Sequence, residues 1–199
     1  MKSLEKLKEQ AWKANMELPQ RNLVVYTFGN ASAIDRERRV IAIKPSGIPY
    51  EALTPDSMVL VDLDNRVLDG SLNPSSDTKT HTVLYRHFPT IGGIVHTHSP
   101  YATAWAQALK PIPCLGTTHA DHVPGDIPCT AVLSDEQVLR DYEEETGHQI
   151  VERFQDISYR DVEMVLVACH GPFTWGTSPE KAVYNSVVLE ELAKMAFLT

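Results

Sequence analysis

Two histidines separated by one residue form the most informative local pattern in the sequence. His96 and His98 end an apolar run, with Thr97 between them. On a β-strand, side chains two positions apart point to the same face, so both imidazoles can reach one divalent cation. Histidine is the commonest protein metal ligand, although an H-x-H pattern also occurs where the two histidines share no task. The pattern predicts part of a metal site.

A catalytic metal site needs a third protein ligand while one coordination position stays open for substrate. His170 is one candidate, because it also follows an apolar run, residues 164–168. His119 and His122 lie in a polar loop and compete with it, and their spacing does not rank them against His170. The remaining histidines, His81, His87 and His148, are interpreted as surface or packing residues.

Three turns rich in hydrogen-bond donors could hold a phosphate group. Glycine lets the backbone approach a ligand closely, and serine hydroxyls with backbone N–H groups suit phosphate oxygens. A lysine beside them adds a positive point charge. The same residue types dominate ordinary turns, which is the structural alternative. The candidate substrate-binding residues are Gly29, Asn30, Lys44, Ser46, Gly47, Ser75 and Ser76.

Two aspartates, Asp77 and Asp121, lie in loops that carry few other charges. A carboxylate near a dication can be a ligand, can orient a ligand or can transfer protons. The structural alternatives are a helix N-cap for Asp77, directly before Thr78, and a turn position for Asp121.

Runs rich in Val and Ile alternate with helical patterns, which indicates an α/β protein. An amphipathic helix is predicted at residues 4–18 and is expected to end at Pro19. Strands are predicted at residues 23–27, 40–44, 58–62, 92–98 and 164–168, and helices at residues 78–88 and 101–109.

Two further helices are marked by their first residues. Ser134 and Gln137 have the spacing of a capping box, and the helix that they open is expected to end at Gly147. Ser178 and Pro179 are an N-cap and a first helical residue, and this last helix is predicted to continue to the end of the chain.

Composition places the chain among globular proteins of one domain, covering residues 1–199. The fractions of hydrophobic and charged residues, 43% and 22%, exclude disorder. No apolar run approaches the ~20 residues of a membrane-spanning helix, and the mixed-charge N-terminus lacks the apolar stretch of a signal peptide. A cytoplasmic protein without a membrane partner is expected.

Charge and cysteine content exclude two further classes. The net charge is −8 and no Lys/Arg-rich block occurs, which argues against nucleic acid as a partner. Cys114, Cys129 and Cys169 form no C-x-x-C pair, so they are interpreted as reduced, structural residues.

Six motifs follow one another along nearly the whole chain: FGNAS at 28–32, KPSG at 44–47, PSSDT at 74–78, GGIVHTHS at 92–99, GTTHAD at 116–121 and HGPFTWG at 170–176. Together they resemble the L-ribulose-5-phosphate 4-epimerases of the class II aldolase and adducin-head family. The resemblance implies an α/β fold, a single three-layer α/β/α domain around a largely antiparallel central sheet. It also implies a homotetramer with fourfold symmetry and active sites between subunits.

The resemblance further implies roles for individual residues. His96, His98 and His170 would hold one divalent cation per subunit, a zinc ion in the first place, with manganese or cobalt as substitutes. Asp77 would lie at the cation as a ligand or close neighbour. The turn residues named above would bind a small phosphorylated ketopentose, chiefly through its phosphate, and Asp121 would be an acid/base group presented across a subunit boundary.

The implied reaction inverts C4 of L-ribulose 5-phosphate and gives D-xylulose 5-phosphate. No carbonyl is adjacent to C4, so its hydrogen is not acidic, but the C2 carbonyl makes the C3–C4 bond breakable in a retro-aldol step. A cation stabilises the enediolate charge as a Lewis acid, and the glycolaldehyde phosphate fragment is re-added through its other face.

Two alternatives to this reaction are a class II aldolase that cleaves a related ketose 1-phosphate, and an adducin-like scaffold without activity. The resembling aldolases have a glutamate at the position of Asp77, and retention of the three histidines with Asp121 disfavours a scaffold. Members of the resembling family also carry a tyrosine, a second acid/base group, in a C-terminal tail. Nothing after Tyr184 corresponds to it, so either the chain is naturally short or the tail is missing from this sequence, and the second is expected.

Overall fold

The computed structural model describes residues 2–199, and within them a seven-stranded sheet forms the frame of the molecule. The strands lie in the order β4-β3-β2-β1-β5-β7-β6, and each neighbouring pair is antiparallel. Their bounds are β1 Asn30–Asp35, β2 Val40–Ile43, β3 Val59–Asp62, β4 Val67–Asp69, β5 Gly93–His96, β6 Met164–Val167 and β7 Gly171–Gly176. The largely antiparallel sheet implied by the resemblance is confirmed.

Helices cover both faces of this sheet. They are α1 Lys2–Gln20, α2 Thr78–His87, α3 Pro100–Gln107, α4 Thr117–Ala120, α5 Asp135–Arg153 and α6 Pro179–Leu198, with short 3₁₀ turns at Tyr50–Ala52 and Pro55–Ser57. Within residues 2–199, no helix combines the length and the apolar character that crossing a membrane requires.

Alternation along the strands produces a hydrophobic core on each side of the sheet. On β2, Ile41 and Ile43 enter the core beneath α2, α3 and α5, whereas Val40 and Ala42 enter the core beneath α1. Neighbouring positions of β5 divide in the same way, with Ile94 in the first core and Val95 in the second. This arrangement is the predicted three-layer α/β/α domain.

The predicted helix starts agree with the structure. Ser134 Oγ accepts a hydrogen bond from the backbone N–H of Gln137, and the Gln137 side chain accepts one from the backbone N–H of Ser134. Ser178 Oγ accepts from the backbone N–H of Lys181, with Pro179 as the first helical residue.

Two predicted helix ends are wrong. Helix α1 continues through Pro19 to Gln20, because a proline in the last turn interrupts few backbone hydrogen bonds. Helix α5 continues through Gly147 to Arg153. A Cβ at Gly147 would lie 2.7 Å from Cβ of Val83 on α2, so this glycine permits a close helix–helix contact and does not end the helix.

The predicted strand at residues 23–27 is wrong. The segment forms turns, with positive φ at Asn22 and Tyr26, and the side chains of Val25 and Tyr26 are 60% and 84% exposed. It contains β-forming residue types, and Leu23 enters the core beneath α1, but no strand of the described sheet pairs with it, so tertiary context overrides local preference.

Three strands of the sheet, the short edge strand β4 and the inner strands β1 and β7, were not predicted. Strand β1 consists mostly of small and polar residues, and β7 begins with a Gly-Pro pair that is typical of turns. Both lie in the centre of the sheet, where their partners provide the hydrogen bonds and the burial that their own sequences do not signal.

Strand direction determines where the candidate residues meet. Strands β2, β5 and β6 run the same way and end at one edge of the sheet, the edge at which β1 and β7 begin. Lys44 follows β2, His96 ends β5, His170 follows β6, and Asn30 begins β1 opposite His96. Groups that are far apart in the sequence are therefore brought to a single edge.

Candidate active site

Three histidines form a compact cluster at this edge of the sheet. The ring nitrogens of His96, His98 and His170 that could serve as ligands lie within 4.8 Å of one another. His96 Nε2 and His98 Nε2 are only 3.1 Å apart, a separation suited to two nitrogens that share one cation. The structure thus places His170, of the three competing histidines, next to the H-x-H pair.

The other candidate histidines lie elsewhere in the described chain. His119 and His122 belong to the segment around helix α4, and neither lines the cavity beside the cluster. His87 and His148 are surface residues whose rings contact each other, with centroids 6.0 Å apart. His81 is completely buried, so a surface position is excluded for it.

The protonation state of the cluster fits a bound cation. His96 Nδ1 lies 3.0 Å from the carbonyl oxygen of Pro172, which can only accept, so Nδ1 carries the proton and Nε2 offers a lone pair. Burial lowers the pKa of His98, and burial together with the nearby His96 lowers the pKa of His170 to about 3. Metal ligation requires neutral imidazoles, and these histidines are held in that state.

One atom of the cluster is an orphaned buried group. His170 Nδ1 is buried and has no hydrogen-bond partner among the described residues. A buried polar atom without a partner is costly, and a bound cation or its water would satisfy a ring nitrogen here. The donor set, three imidazole nitrogens, is that of catalytic zinc sites with an open position.

A cavity of about 360 Å³ extends from the histidine cluster over the neighbouring turns. It is lined by all the candidate substrate-binding turn residues, by Asp77 and by the three clustered histidines, whereas the candidates His119, His122 and Asp121 lie outside it. The turns meet because the Ser75 N–H donates to the Lys44 carbonyl and the Ser46 N–H donates to the Asn73 carbonyl, which ties the segment before α2 to the end of β2.

Asn30 is the polar centre of this cavity. Its Nδ2 donates to Ser75 Oγ at 3.0 Å and to Asp77 Oδ2 at 2.7 Å, so two of the candidate turns meet at this residue. Its Oδ1 is buried and lacks a partner in the part of the chain that the structure describes.

Gly29 allows the backbone to pass close to the cluster. Its φ is +74°, in the left-handed region, and an added Cβ would lie 2.7 Å from Val24 Cγ1 and 2.9 Å from the His96 carbonyl oxygen. A side chain would meet both conformational strain and a clash, so this position requires glycine.

Lys44 is an almost fully buried cation at the other end of the cavity. The side chain is 2% exposed, and Nζ donates to the Thr27 carbonyl at 3.2 Å and lies 5.0 Å from the ring centre of Tyr50. Burial lowers the pKa of Lys44 to about 8. No carboxylate forms an ion pair with it within the described residues, which leaves its charge available to an anionic ligand.

Asp77 occupies the N-cap position of α2, but its side chain caps no backbone N–H. The carboxylate instead accepts the hydrogen bond from Asn30 and lines the cavity. Burial acts to raise the pKa of Asp77, but the imidazoles of His96 and His81 and the amide of Asn30 outweigh burial, so its pKa lies below the usual value. The N-cap interpretation is right about the position of Asp77 at the start of α2, but not about the hydrogen bonding of its side chain.

Asp121 lies apart from the histidine cluster in a single chain. It follows α4 and lines a separate polar cavity of about 240 Å³ together with His122, Glu163, Lys181 and Tyr184. A role for Asp121 in the cavity described above therefore requires a second subunit.

Among the cavity residues that were not candidates from the sequence, Tyr142 and Glu143 come from helix α5, far along the chain from every predicted site segment. The backbone of α5 is non-helical at Asp141, directly before them, and this kink presents them to the site. The Tyr142 ring lies 5.7 Å from the His170 ring, and burial raises the pKa of its hydroxyl. The capping box predicts an uninterrupted helix, and no proline or glycine marks the kink. No sequence pattern therefore indicated that Tyr142 and Glu143 reach the cavity.

Comparison with known families identifies the class of protein to which this three-layer domain, with its histidine cluster at the sheet edge, belongs. Residues 9–197 match the family described as Class II Aldolase and Adducin N-terminal domain, and the chain belongs to this family.

Relatives of known activity are also similar over nearly the whole chain. The L-ribulose-5-phosphate 4-epimerase UlaF of Salmonella paratyphi C is 53% identical over 195 residues, which cover 98% of this chain and 86% of the relative. The protein of the same name from Salmonella typhi is 52% identical with the same coverage.

Solved structures show the same fold. An L-fuculose 1-phosphate aldolase superposes with a TM-score of 0.84 at 25% identity, covering 97% of this chain and 85% of the aldolase. YgbL from Escherichia coli, described as a putative aldolase/epimerase/decarboxylase, has a TM-score of 0.76 at 26% identity, covering 98% and 90% of the two chains.

Proposed function

We propose that this chain is a metal-dependent sugar-phosphate epimerase that converts L-ribulose 5-phosphate to D-xylulose 5-phosphate. The observation that carries the proposal is 53% identity, over 98% of the chain, to a protein named as an L-ribulose-5-phosphate 4-epimerase. The cavity supports it, because a cluster of neutral imidazoles and a set of phosphate-binding turns face the same space.

The proposed chemistry is a retro-aldol cleavage followed by an aldol addition. Removal of the proton from the C4 hydroxyl lets a C4 carbonyl form while the C3–C4 bond breaks, and the electron pair moves toward the C2 carbonyl. The aldehyde fragment turns, and C3 adds to its opposite face as the C4 oxygen regains a proton. Asn30, Ser75 and Lys44 hold the phosphate of that fragment, so that it turns without leaving.

A divalent cation is proposed at His96, His98 and His170, with Asp77 beside it and with zinc as the ion in the first place. Such a cation supplies Lewis-acid stabilisation of negative charge on the ketose oxygens. The chain itself contributes neutral imidazole ligands and, through Asn30, a fixed orientation of the Asp77 carboxylate.

A direct assay separates the epimerase from its nearest alternative. Zinc-loaded protein should convert L-ribulose 5-phosphate to D-xylulose 5-phosphate without releasing glycolaldehyde phosphate. Cleavage of a ketose 1-phosphate, with accumulation of the two fragments and no conversion of L-ribulose 5-phosphate, would instead establish an aldolase.

A cytoplasmic homotetramer with active sites between subunits is part of the proposal. A contact between subunits is supported by an apolar surface around the end of α6, where Leu115, Met195, Phe197 and Leu198 are each at least 41% exposed. A soluble monomer seldom exposes several large apolar side chains together, so this surface suits a subunit contact. The position of Asp121 outside the cavity is consistent with the same arrangement.

Replacing Ser75 by alanine should weaken substrate binding. The change removes a hydroxyl that accepts from Asn30 in the cavity and that is proposed to bind the substrate phosphate. A hydrogen bond to a charged group such as phosphate contributes about 1.5–3 kcal/mol. KM should rise roughly tenfold to a hundredfold, since each ~1.4 kcal/mol is a factor of ten. Steady-state kinetics test this, with Ser71→Ala as a control in the exposed part of the same loop. An unchanged KM in Ser75→Ala would remove Ser75 from the binding site.

The pH dependence of catalysis should reveal Lys44. The ammonium form exists below its pKa of about 8, so kcat/KM should decline as pH rises through that value and the attraction to phosphate is lost. The profile of kcat should be flatter, because bound phosphate keeps the lysine protonated. In Lys44→Arg the decline near pH 8 should disappear, whereas the exposed control Lys110→Arg should retain it. A decline that persists in Lys44→Arg would assign it to another group.

A further inference from the structure

A polar seam joins strand β1 to helix α2 next to the histidine cluster. Asn30 and Ser32, two residues apart on the strand, face Asp77, His81 and Tyr85, which recur every four residues on one face of the helix. The contacts form successive rungs: Asn30 Nδ2 to Asp77 Oδ2 at 2.7 Å, Ser32 Oγ to His81 Nδ1 at 2.7 Å and Ser32 Oγ to Tyr85 OH at 2.9 Å. Ser32, His81 and Tyr85 are each 0% exposed, so these contacts replace water completely.

The order of protons along the seam follows from the donors and acceptors available. Burial raises the pKa of Tyr85, so its hydroxyl keeps its proton and needs an acceptor. Ser32 Oγ is the acceptor that the described chain provides. The single proton of Ser32 is then donated to His81 Nδ1, which leaves the ring proton on Nε2. In the reverse order, with Ser32 donating to Tyr85, the Tyr85 proton would lack an acceptor.

His81 Nε2 is the last atom in this series of hydrogen-bonded groups. It is buried and has no partner within residues 2–199, a rare state for a ring nitrogen. The charged and titratable groups that act on the ring are Asp77, one helical turn earlier, and His96. Phe173 separates His81 from His96: its ring meets the His81 ring edge-on at 6.0 Å and stacks on His96 at 4.2 Å.

Asp77 has one carboxylate oxygen to which no described residue donates. The hydrogen bonds from Asn30 and Ser75 both reach Oδ2, and the described residues provide no donor for Oδ1. A carboxylate held through one oxygen can still rotate, whereas a second donor would fix its plane. Burial lowers the pKa of His81 to about 3, so the ring donates through a neutral N–H and adds no positive charge that would compete with a cation.

We propose that His81 is a positioning residue: its Nε2–H, ordered by Tyr85 and Ser32, would donate to the carboxylate of Asp77 when a cation is bound and hold that carboxylate in place beside the histidine cluster. The inference rests on the proposed function in one respect, the role of Asp77 next to a cation. It assigns a task to a buried histidine that the mechanism above does not use.

The tautomer is testable without metal and without substrate. In the metal-free protein with ¹⁵N-labelled histidine, long-range ¹H–¹⁵N spectra should show His81 as a neutral Nε2–H ring whose shifts stay constant across the neutral pH range. In Ser32→Ala, where Nδ1 loses its donor, the same resonances should move toward a mixture of tautomers. An Nδ1–H ring in the unaltered protein would overturn the proposal.

Metal affinity tests the link to Asp77. His81→Leu fills the space without a donor and should weaken zinc binding, measured by competition with a chelator, by ~10–100-fold, as for other groups that orient metal ligands. His81→Gln retains an N–H near the position of Nε2 and should recover most of the affinity. His87→Gln, on the exposed side of the same helix, should bind zinc normally.

Each remaining outcome also decides the matter. Lower thermal stability with unchanged zinc affinity in His81→Leu would show a packing role only, and equal losses in the leucine and glutamine variants would exclude the donor. If His81→Leu does not fold, the tautomer of His81 in the unaltered protein and the zinc affinity of His81→Gln still test the proposal. Neither measurement uses L-ribulose 5-phosphate, so a protein inactive on that substrate with the expected tautomer and affinities would refute the proposed function and leave this inference standing.

Discussion

Replacing His98 by asparagine is expected to remove both the bound cation and the activity. His98 contributes one of three imidazoles, and its Nε2 lies 3.1 Å from that of His96, so the substitution leaves a two-ligand site. Lewis-acid stabilisation is worth several kcal/mol, and each ~1.4 kcal/mol is a factor of ten in rate, so kcat/KM should fall by ~10³-fold or more. Metal analysis of the purified protein and steady-state kinetics measure the two effects.

The substitution should leave the metal-free fold intact, because His98 is an exposed side chain at the mouth of the cavity. Circular dichroism and thermal unfolding of the chelator-treated proteins check this point. His148→Asn makes the same chemical change on the surface away from the cavity and should retain both cation and activity. Full metal content and full activity in His98→Asn would show that the histidine cluster is not the metal site.

Replacing Asp121 by asparagine is expected to lower kcat by ~10²–10⁴-fold, the usual contribution of a general acid or base. The change is nearly isosteric, and Asp121 is an exposed residue outside the metal cluster, so folding and metal content should stay unchanged. Asp156→Asn is a matched control, since Asp156 is an exposed aspartate that lines neither cavity. Normal turnover by Asp121→Asn would exclude it from proton transfer.

Mixed assemblies test whether Asp121 works in a neighbouring subunit. Neither Asp121→Asn nor His98→Asn chains should be active alone. When the two are dissociated and reassembled together, some sites receive an intact histidine cluster from one chain and an intact aspartate from the other, so part of the activity should return. Mixed oligomers verified by light scattering that remain inactive would contradict the shared site, and the kinetics of Asp121→Asn would still decide its proton-transfer role.

Local sequence patterns predicted several elements of the fold correctly and identified two of the three clustered histidines. The alternation of three- and four-residue spacings along α1, the capping box at Ser134 and the Val/Ile-rich runs of β2, β3, β5 and β6 are all short-range signals. The H-x-H pair is also a short-range signal, because side chains two positions apart lie on the same face of an extended chain.

Wrong predictions occurred where distant partners decide the local structure. Residues 23–27 have the composition of a strand and find no neighbouring strand, whereas β1 has a weak strand signal and lies between two partners in the sheet. Backbone hydrogen bonds and burial come from residues far away in the sequence, so local propensity does not determine these outcomes.

The sequence by itself determined which residue types are available for chemistry: paired histidines, donor-rich turns and isolated aspartates. Residue spacing left His170, His119 and His122 unranked, the motif resemblance favoured His170, and the tertiary structure places it beside the pair. Only the tertiary structure directed the Asp77 side chain away from its N-cap role and brought Tyr142 into the cavity. The physical reason is that an active site is assembled by the direction and order of the strands in the sheet. That order depends on pairing between distant segments, such as Gly93 with Gly176, 83 residues apart, which no local pattern records.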